Sequence, residues 1–547
     1  MACKVRYFEN IPCLGLVISA IALAVLSGCA VGPDFIRPQP PEMKEWIEKE
    51  DPRIRSEPAD LAAWWKRFND PVLDTLIERA YRQNLSLRIA GIRIFEARAQ
   101  LGIVVGNQYP QLQQLRGDYT GYGLSENAAN TIPGIDTNFT GANIGFDAAW
   151  ELDFWGRFRR SVESGVWNLD ASIAGYDDVL VTLVAEVART YVVIRTLETR
   201  LAIALENVKI QERSLQIAKV RFEGGDVTEL DVAQARTLLG ETQASIPRLK
   251  AQLRQAKNSL AVLLGVLPGE VNPLLCGPGQ IPSAPPDVKS GIPAELLRRR
   301  PDIRFAESRM AAQSSLIGVA KADLYPRFSL FGSIGLSASN ATLTAAGFPG
   351  GSSLSDIWDS DSLEYYGGIG FAWDILNYGR IKNRIRVQDA RFQELVMNYK
   401  NTVLKAAQEA EDGLSAFLRS QEEVSFLRES VEGATRSVEL SLTQYREGLV
   451  DYQRVLDTQR AQTQTQDLLT STQGVVLLNL IATYKALGGG WEIRVGKDFV
   501  PEEIKEEMEK RTDWGHLLSP AKLETPPEAE RMGLRSSSLK HVGDNEQ

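Results

Sequence analysis

The sequence predicts an α+β membrane protein whose strands form a β-barrel between chains, continued by a long α-helical barrel. Three observations lead to this fold class: an N-terminal signal that ends in a cysteine, an internal repeat, and a strand pair followed by a very long helix in each repeat. The chain has 547 residues, enough for several hydrophobic cores. Its net charge of −9 leaves no basic face of the kind that nucleic acid requires.

The N-terminus carries the pattern of a secretory signal. A basic start precedes a short apolar stretch over residues 11–26, which is shorter than the roughly 20 apolar residues of a spanning helix. The stretch closes on small residues and Cys29, and this ending resembles the signal of a bacterial lipoprotein, in which the cysteine is acylated. We therefore expect residues 1–28 to be removed and Cys29 to carry a covalent lipid. The alternative is an ordinary signal peptide with an incidental cysteine. In such lipoproteins Ala30, rather than Asp, after the cysteine favours the outer membrane.

Histidine and cysteine usage argues against an enzyme. The only histidines, His516 and His541, lie in a polar tail, so the body of the chain lacks the histidine that many nucleophilic and metal sites need. After removal of the signal and acylation of Cys29, only Cys276 remains, which excludes an intrachain disulfide. We predict no enzyme activity, no metal and no cofactor beyond the lipid, and we assign no role to Cys276.

Internal symmetry defines the organisation of the chain. A shift of 216 residues aligns Tyr109-Pro110 with Tyr325-Pro326, and a shift of 223 residues aligns Trp155-Gly156-Arg157 with Tyr378-Gly379-Arg380. Several such matches in one order predict two repeats joined by a linker rich in Pro and Gly. The predicted segments are the signal 1–28, a lipid-anchored segment 29–70, the repeats 71–265 and 294–488, the linker 266–293, and a terminal segment 489–547.

Each repeat has the same predicted order of a helix, two strands, a very long helix and a further long helix. The very long helix of each repeat contains no proline from Arg159 to Arg221 and from Gly379 to Gly448, and carries apolar residues at helical spacing. At 1.5 Å per residue, roughly 65 residues span roughly 100 Å. Taken alone, such helices also fit a coiled coil with a solvated face. The predicted helices are about 71–106, 157–223 and 228–264, and then 294–322, 380–446 and 452–487.

The predicted strands alternate between apolar and polar or glycine residues, as a half-buried sheet does. Three of them are clear, beginning near Ala142, Phe328 and Tyr365, whereas the first has only Tyr119 and Tyr122 as anchors. Four strands cannot close a barrel, and open edges are not tolerated in lipid. Two chains would give eight strands and an interior filled by side chains. Three chains would give twelve strands and a pore, so a homotrimer is the smallest conducting arrangement.

Several segments of the chain together carry a family resemblance. They are Cys29 to Phe35, Arg37-Pro38, Trp64-Trp65, Asp70-Pro71, Leu230 to Ala235, Leu296 to Ile303, Ala320 to Arg327 and Tyr484 to Trp491. In these segments the chain resembles the TolC-like outer-membrane factors, specifically the NodT lipoprotein branch that serves resistance-nodulation-division efflux systems. The set covers residues 29–491.

The resemblance implies a homotrimer with a twelve-stranded barrel, an α-helical tunnel and an equatorial belt made from the linker and terminal segments. It implies a passive exit duct in the outer membrane for drugs or other toxic solutes, which an inner-membrane transporter delivers through a periplasmic adaptor. Two alternatives remain open: a duct for secreted protein, and a lipid-anchored periplasmic coiled-coil scaffold without a pore. The transported substrate and the identities of adaptor and transporter are not readable from the sequence.

The resemblance also assigns site residues. In the family, charged residues at the start of the last helix ring the closed periplasmic aperture, and the matching positions are Asp457 and Arg460. Arg454 stands where some members have an acidic residue, which favours closure by salt bridges over a doubled acidic ring. The expected adaptor-docking tips are the two helix turns, with Gly225, Val227, Gly448 and Val450.

The tail over residues 497–547 departs from the family. It is rich in Glu and Lys and poor in apolar residues after Leu518. We expect it to be disordered and have no functional account of it.

Overall fold

The structure is a computed structural model. It describes residues 30–39, 45–55, 61–127, 136–275, 279–289, 298–341 and 353–519. The chain divides into two compact units. The first comprises residues 1–38, 97–170 and 307–397, and the second comprises residues 39–96, 171–306 and 398–547. Cys29 and Cys276 lie outside the described residues. Among the helices of the described ranges, none combines the length and the apolarity needed to cross a membrane.

Helices dominate the described part of the chain. The α-helices are α1 Pro71–Gln83, α2 Leu85–Gly106, α3 Arg157–Glu223, α4 Glu229–Leu264, α5 Pro301–Ala322, α6 Arg380–Arg446, α7 Tyr452–Ala486 and α8 Glu502–Glu509. Short 3₁₀ helices occupy Trp64–Phe68, Asn272–Leu275, Leu354–Trp358, Ser360–Ser362 and Trp491–Arg494. The helices α3 and α6 each contain 67 residues, and their bounds agree with the prediction from proline-free helical periodicity.

The strands form one large and one small sheet. They are β1 Ile54–Arg55, β2 Leu112–Gly123, β3 Asn138–Leu152, β4 Val288–Lys289, β5 Arg327–Ser339 and β6 Leu363–Ala372. The large sheet belongs to the first unit and has the order β2-β3-β5-β6, with every pair antiparallel. β1 and β4 form a short parallel pair in the second unit. The predicted α+β class and its four strands are therefore confirmed.

The first predicted strand shows how pairing overrides weak local signals. β2 is rich in glycine and polar residues. It nevertheless pairs with β3 along its whole length, from Leu112 opposite Ala149 to Gly123 opposite Asn138. A strand gains its hydrogen bonds from its neighbour, so a regular partner holds a sequence of low strand propensity in register. β3 consequently begins at Asn138, earlier than its apolar alternation indicates.

The prediction of a single first helix over residues 71–106 is wrong. Asn84 adopts an extended conformation with ψ of 124° and separates α1 from α2. Its Oδ1 accepts a hydrogen bond from the backbone N–H of Leu87 at 2.9 Å, and its Nδ2 donates to the carbonyl of Leu263 at 2.9 Å. Asparagine is a favoured N-cap, so it begins a second helix here. In the second repeat, α5 begins at Pro301, and residues 294–297 lie outside the described residues.

The tail also differs from its prediction. Beyond Gly496 the chain continues into α8, with Val500 and Met508 buried. Phe499 packs edge-to-face on Tyr176, with ring centroids 5.0 Å apart. These apolar anchors hold the segment on the second unit, so the expectation of disorder is wrong for residues 497–519. Residues 520–547 lie outside the described residues.

Candidate functional site

Two helix turns carry the residues that the sequence assigned to the docking tips. The turn after α3 places Gly225 at φ 82°, and the turn after α6 places Gly448 at φ 78°. In each turn, the residue after the glycine donates its N–H to a carbonyl five positions back: Asp226 to Arg221, and Leu449 to Gln444, both at 2.9 Å. This is the Schellman pattern, which needs a left-handed residue that glycine adopts without steric cost.

The two turns share one apolar cluster within the second unit. Its partly buried members include Val227 and Val450, one from each turn. The valines therefore contribute to packing, while Gly225 and Gly448 are exposed. The buried members are Ala218, Val232, Ala235, Leu238, Tyr445, Tyr452, Val455 and Leu456. Because both helix pairs supply members, separating them would expose this apolar surface to water.

A polar network lies on this cluster, and we call Arg221, Asp231 and Tyr445 the latch. The hydroxyl of Tyr445 donates a hydrogen bond to Oδ2 of Asp231 at 3.0 Å. Nη1 of Arg221 donates to the backbone carbonyl of Tyr445, and its guanidinium lies 4.8 Å from the centre of the Tyr445 ring. The latch therefore joins the end of α3 and the start of α4 to the end of α6 by a charge-assisted hydrogen bond and a cation–π contact.

Burial and charge hold the tyrosine of the latch in its protonated form. Tyr445 is fully buried. Burial and then the hydrogen bond to Asp231 raise the pKa of Tyr445, because each favours the neutral phenol over the phenolate. Burial likewise raises the pKa of the neighbouring Tyr452, whose ring packs edge-to-face on Tyr445 with centroids 5.3 Å apart. At neutral pH the hydroxyl of Tyr445 is therefore protonated and can donate to Asp231, as the latch requires.

The sequence-predicted gate residues lie on the exposed side of the first turns of α7. Oδ1 of Asp457 accepts a hydrogen bond from Nε2 of Gln453 at 2.9 Å. Arg460 lies 3.9 Å from Oε2 of Glu241, a residue of α4. Arg454 donates its backbone N–H to Asp451, the N-cap of α7. Among the described residues, Asp457 and Arg460 do not pair with each other, so within one chain the arginine is bound to the neighbouring helix.

Sequence reasoning did not predict the contacts of the latch. Tyr445 was visible as the counterpart of Phe222 in the repeat, and Asp231 lies in a segment of the family resemblance. Their positions are separated by 214 residues, and no local pattern pairs residues at that separation. The available signal was the difference between Phe222 and Tyr445. Only the tyrosine carries a hydroxyl, so only the tyrosine can donate a hydrogen bond.

The segment that follows the predicted lipid site is anchored within the first unit. The backbone N–H of Val31 donates to the carbonyl of Trp155 at 3.0 Å, and Asp34 pairs with Arg160 at 2.6 Å. A side chain on Gly156 would collide with Ala30, since an added Cβ would lie 2.6 Å from its Cα. The segment from Ala30 to Asp34 therefore lies beside the start of α3, close to the end of β3.

The comparisons with known proteins decide the family. The sequence model described as outer membrane efflux protein matches residues 76–266 and 292–489, well over half of the chain. The chain belongs to the outer membrane efflux protein family. The pyoverdine export outer membrane protein OpmQ of Pseudomonas putida is 32% identical over 449 residues, which cover 78% of this chain and 88% of that protein.

Further relatives support the same assignment. Nodulation protein T of Rhizobium leguminosarum bv. trifolii is 31% identical over 443 residues, covering 81% of this chain and 90% of that protein. The solved structure of the outer-membrane channel OprN is similar with a TM-score of 0.77 and 31% identity, covering 85% of this chain and all of that one. The predicted family, the outer-membrane location and the role of an efflux channel are therefore confirmed.

Proposed function

We propose that three copies of this outer membrane efflux protein assemble into a twelve-stranded β-barrel, which the long helices continue as an α-helical tunnel. The observation that carries the proposal is the four-stranded sheet, in which β2 and β6 are edge strands. An open edge exposes unpaired backbone groups, which lipid does not tolerate. Eight strands fill their interior with side chains, whereas twelve leave a passage.

The proposed duct receives solutes from a tripartite pump. An inner-membrane transporter delivers drugs or other toxic solutes through a periplasmic adaptor, and this chain supplies the passive exit. The two helix turns dock the adaptor. Each turn displays apolar side chains that are unusual at an exposed tip, Leu230 beside the first and Leu449 in the second, exposed by 61% and 70%. Exposed apolar groups of this kind favour a protein partner.

The latch closes the periplasmic end in this proposal, and Asp457, Arg460 and Arg454 line the closed aperture. The latch holds α6 against the start of α4, so the aperture opens only when that contact breaks. Ion pairs such as Arg460–Glu241 restrain the same helices at the surface. The linker 266–293 and the segment from residue 489 form the equatorial belt around the tunnel.

The lipid on Cys29 anchors the chain to the outer membrane in this proposal. Two or more acyl chains are needed for stable anchoring, since each buried methylene contributes only about 0.8 kcal/mol. Cys29→Ala is expected to abolish incorporation of labelled palmitate, with Cys276→Ser as the control that keeps it. Labelling that persists in Cys29→Ala would contradict the lipid site.

The channel is tested by conductance. The purified protein in a planar bilayer is expected to give small, mostly closed conductance, and restoration of drug resistance is expected in cells that lack their own outer-membrane efflux channel. Low-resolution imaging should show a hollow three-fold particle. A solid rod with no conductance would instead support the periplasmic scaffold.

A further inference from the structure

The joint between the two repeats closes with an aromatic stack in the first unit. β3 of the first repeat pairs with β5 of the second repeat over its length. Where this pairing ends, Trp155 stacks on Tyr325 with ring centroids 4.5 Å apart and an angle of 22° between the rings. Nε1 of Trp155 also donates to the carbonyl of Pro326 at 2.8 Å. Both residues are half-buried.

At this end of the sheet, residues that the sequence shifts align make equivalent hydrogen bonds in the two repeats. Nε1 of Trp150 donates to the carbonyl of Gln108 at 3.0 Å. Shifting the donor by 223 and the acceptor by 216 gives Trp373 and Leu324, and Nε1 of Trp373 donates to the carbonyl of Leu324 at 3.0 Å. The same two shifts can therefore be applied to the stack between the repeats.

When the two shifts are applied to Trp155 and Tyr325, they lead to two residues that do not stack on each other within the described part of the chain. The counterpart of Trp155 is Tyr378, which is 98% exposed, and the counterpart of Tyr325 is Tyr109, which is 51% exposed. Tyr378 follows the edge strand β6 and Tyr109 precedes the other edge strand β2. Tyr378 and Tyr109 are thus both aromatic, and each lies beside an open edge strand.

In the proposed homotrimer β6 of each protomer pairs with β2 of the next protomer, and we propose that at this joint Tyr378 stacks on Tyr109 of the partner subunit. The joint between protomers thereby repeats the joint between the repeats within one chain. A contact of β6 with β2 is head-to-tail, and it leaves no free edge when the ring closes. The contact rests on the proposed homotrimer, which supplies the partner.

One charge distinguishes the two joints. Within the chain, Nη1 of Arg157 lies 3.9 Å from Oδ1 of Asp323. The counterpart of Arg157 is Arg380, but the counterpart of Asp323 is Asn107, which is uncharged. The joint between protomers therefore repeats the aromatic stack without this ion pair, and a carboxylate at residue 107 would restore it.

Crosslinking in the full-length protein tests the stack. Tyr109→Cys and Tyr378→Cys are combined in a Cys276→Ser background and treated with a short bifunctional thiol reagent in the membrane. We expect covalent three-chain species on a denaturing gel, while either single variant stays at one-chain mass. The matched control combines Trp155→Cys with Tyr325→Cys, and it is expected to link within one chain, detected by mass spectrometry of the peptides.

The outcomes separate this contact from the trimer itself. If the protein is trimeric by light scattering and the control pair links within the chain, but residues 109 and 378 do not link between chains, the contact is wrong and the proposed channel stands. A protein that is monomeric by light scattering would overturn both. Should the double variant fail to fold, co-expression of the two single variants is expected to give a two-chain product, and its absence counts against the contact.

The charge difference gives a second, independent readout. Asn107→Asp places a carboxylate opposite Arg380 of the partner subunit and is expected to raise the temperature at which the oligomer dissociates in mild detergent. Asn107→Lys is expected to lower it by like-charge repulsion. Equal dissociation temperatures for both variants would contradict the placement of residue 107 beside Arg380.

Discussion

The two helix turns have the same backbone and different chemistry. Gly225 and Gly448 have φ angles within a few degrees of each other, and both turns close with the same hydrogen bonds. A shift of 223 residues nevertheless pairs Phe222, which is 44% exposed, with Tyr445, which is fully buried. The same shift pairs Asp231 with Arg454, so an acid that holds the latch has a base as its counterpart.

This difference shows how two turns of the same backbone come to be joined by a side-chain hydrogen bond. Each repeat alone could form its turn, because the turn depends on glycine and local hydrogen bonds. The latch needs one residue type from each repeat, since Tyr445 donates and Asp231 accepts. The two repeats therefore differ at the pairs 222/445 and 231/454, while the backbone of the two turns is the same.

The largest expected effect comes from removing the buried ring. Tyr445→Ala deletes a fully buried aromatic side chain from the cluster and both contacts of the latch, which we expect to destabilise the packing of the tips by about 3–5 kcal/mol. The measurement is the rate of limited proteolysis at the two turns. Phe222→Ala at the matching position of the other turn is the control. Equal cleavage rates of the two variants would contradict the prediction that Tyr445 contributes more to packing than Phe222.

The next effect isolates the hydrogen bond of the latch. Tyr445→Phe or Asp231→Asn is expected to cost about 1–3 kcal/mol of closure, because the bond has a charged acceptor. Single-channel recording should show roughly a tenfold rise in open probability, and the double variant should add little to either single variant. Asp226→Asn, whose carboxylate lies 4.0 Å from Arg221 and is 65% exposed, is the control that should leave closure unchanged. Additive effects of the two latch variants would show that the residues act independently.

A pH dependence follows from the raised pKa of Tyr445. The ordinary pKa of tyrosine is 10.0, and in the folded protein it is higher. The protonated form therefore stabilises closure fully below pH 10, and this contribution is lost as pH rises through the raised pKa. Channel conductance should be flat from neutral pH to pH 10 and increase above it. Tyr445→Phe should abolish the alkaline increase, and an unchanged increase in that variant would assign it to another group.

The smallest effect within one chain concerns the surface charges. Arg460 and Glu241 are both largely exposed and 3.9 Å apart, and such pairs contribute about 0–1 kcal/mol. Asp457→Ala or Arg460→Ala is therefore expected to raise conductance less than the latch variants do. An effect larger than that of Tyr445→Phe would show that these charges act mainly between protomers, where three copies meet.

Local rules predicted much of the fold. The bounds of α3 and α6 followed from proline-free helical periodicity, and the turns followed from Gly225 and Gly448, because these features depend on neighbours in sequence. The interruption at Asn84 was also locally encoded, since asparagine caps helices, but its bond to Leu263 decided that the cap is used. Residues 497–519 looked too polar to fold, and long-range contacts such as Phe499 with Tyr176 hold them in place.

The sequence by itself determined the long helices and the family, and it predicts a signal ending at Cys29 and two repeats, because each of these depends on local pattern or on similarity along the chain. Only the tertiary structure decided the strand order β2-β3-β5-β6 and the hydrogen bond between Tyr445 and Asp231. It also decided that Asp457 and Arg460 contact different partners. These features join residues that lie far apart in the chain. Their partners are selected by packing and burial, and the spacing of residues carries no record of that selection.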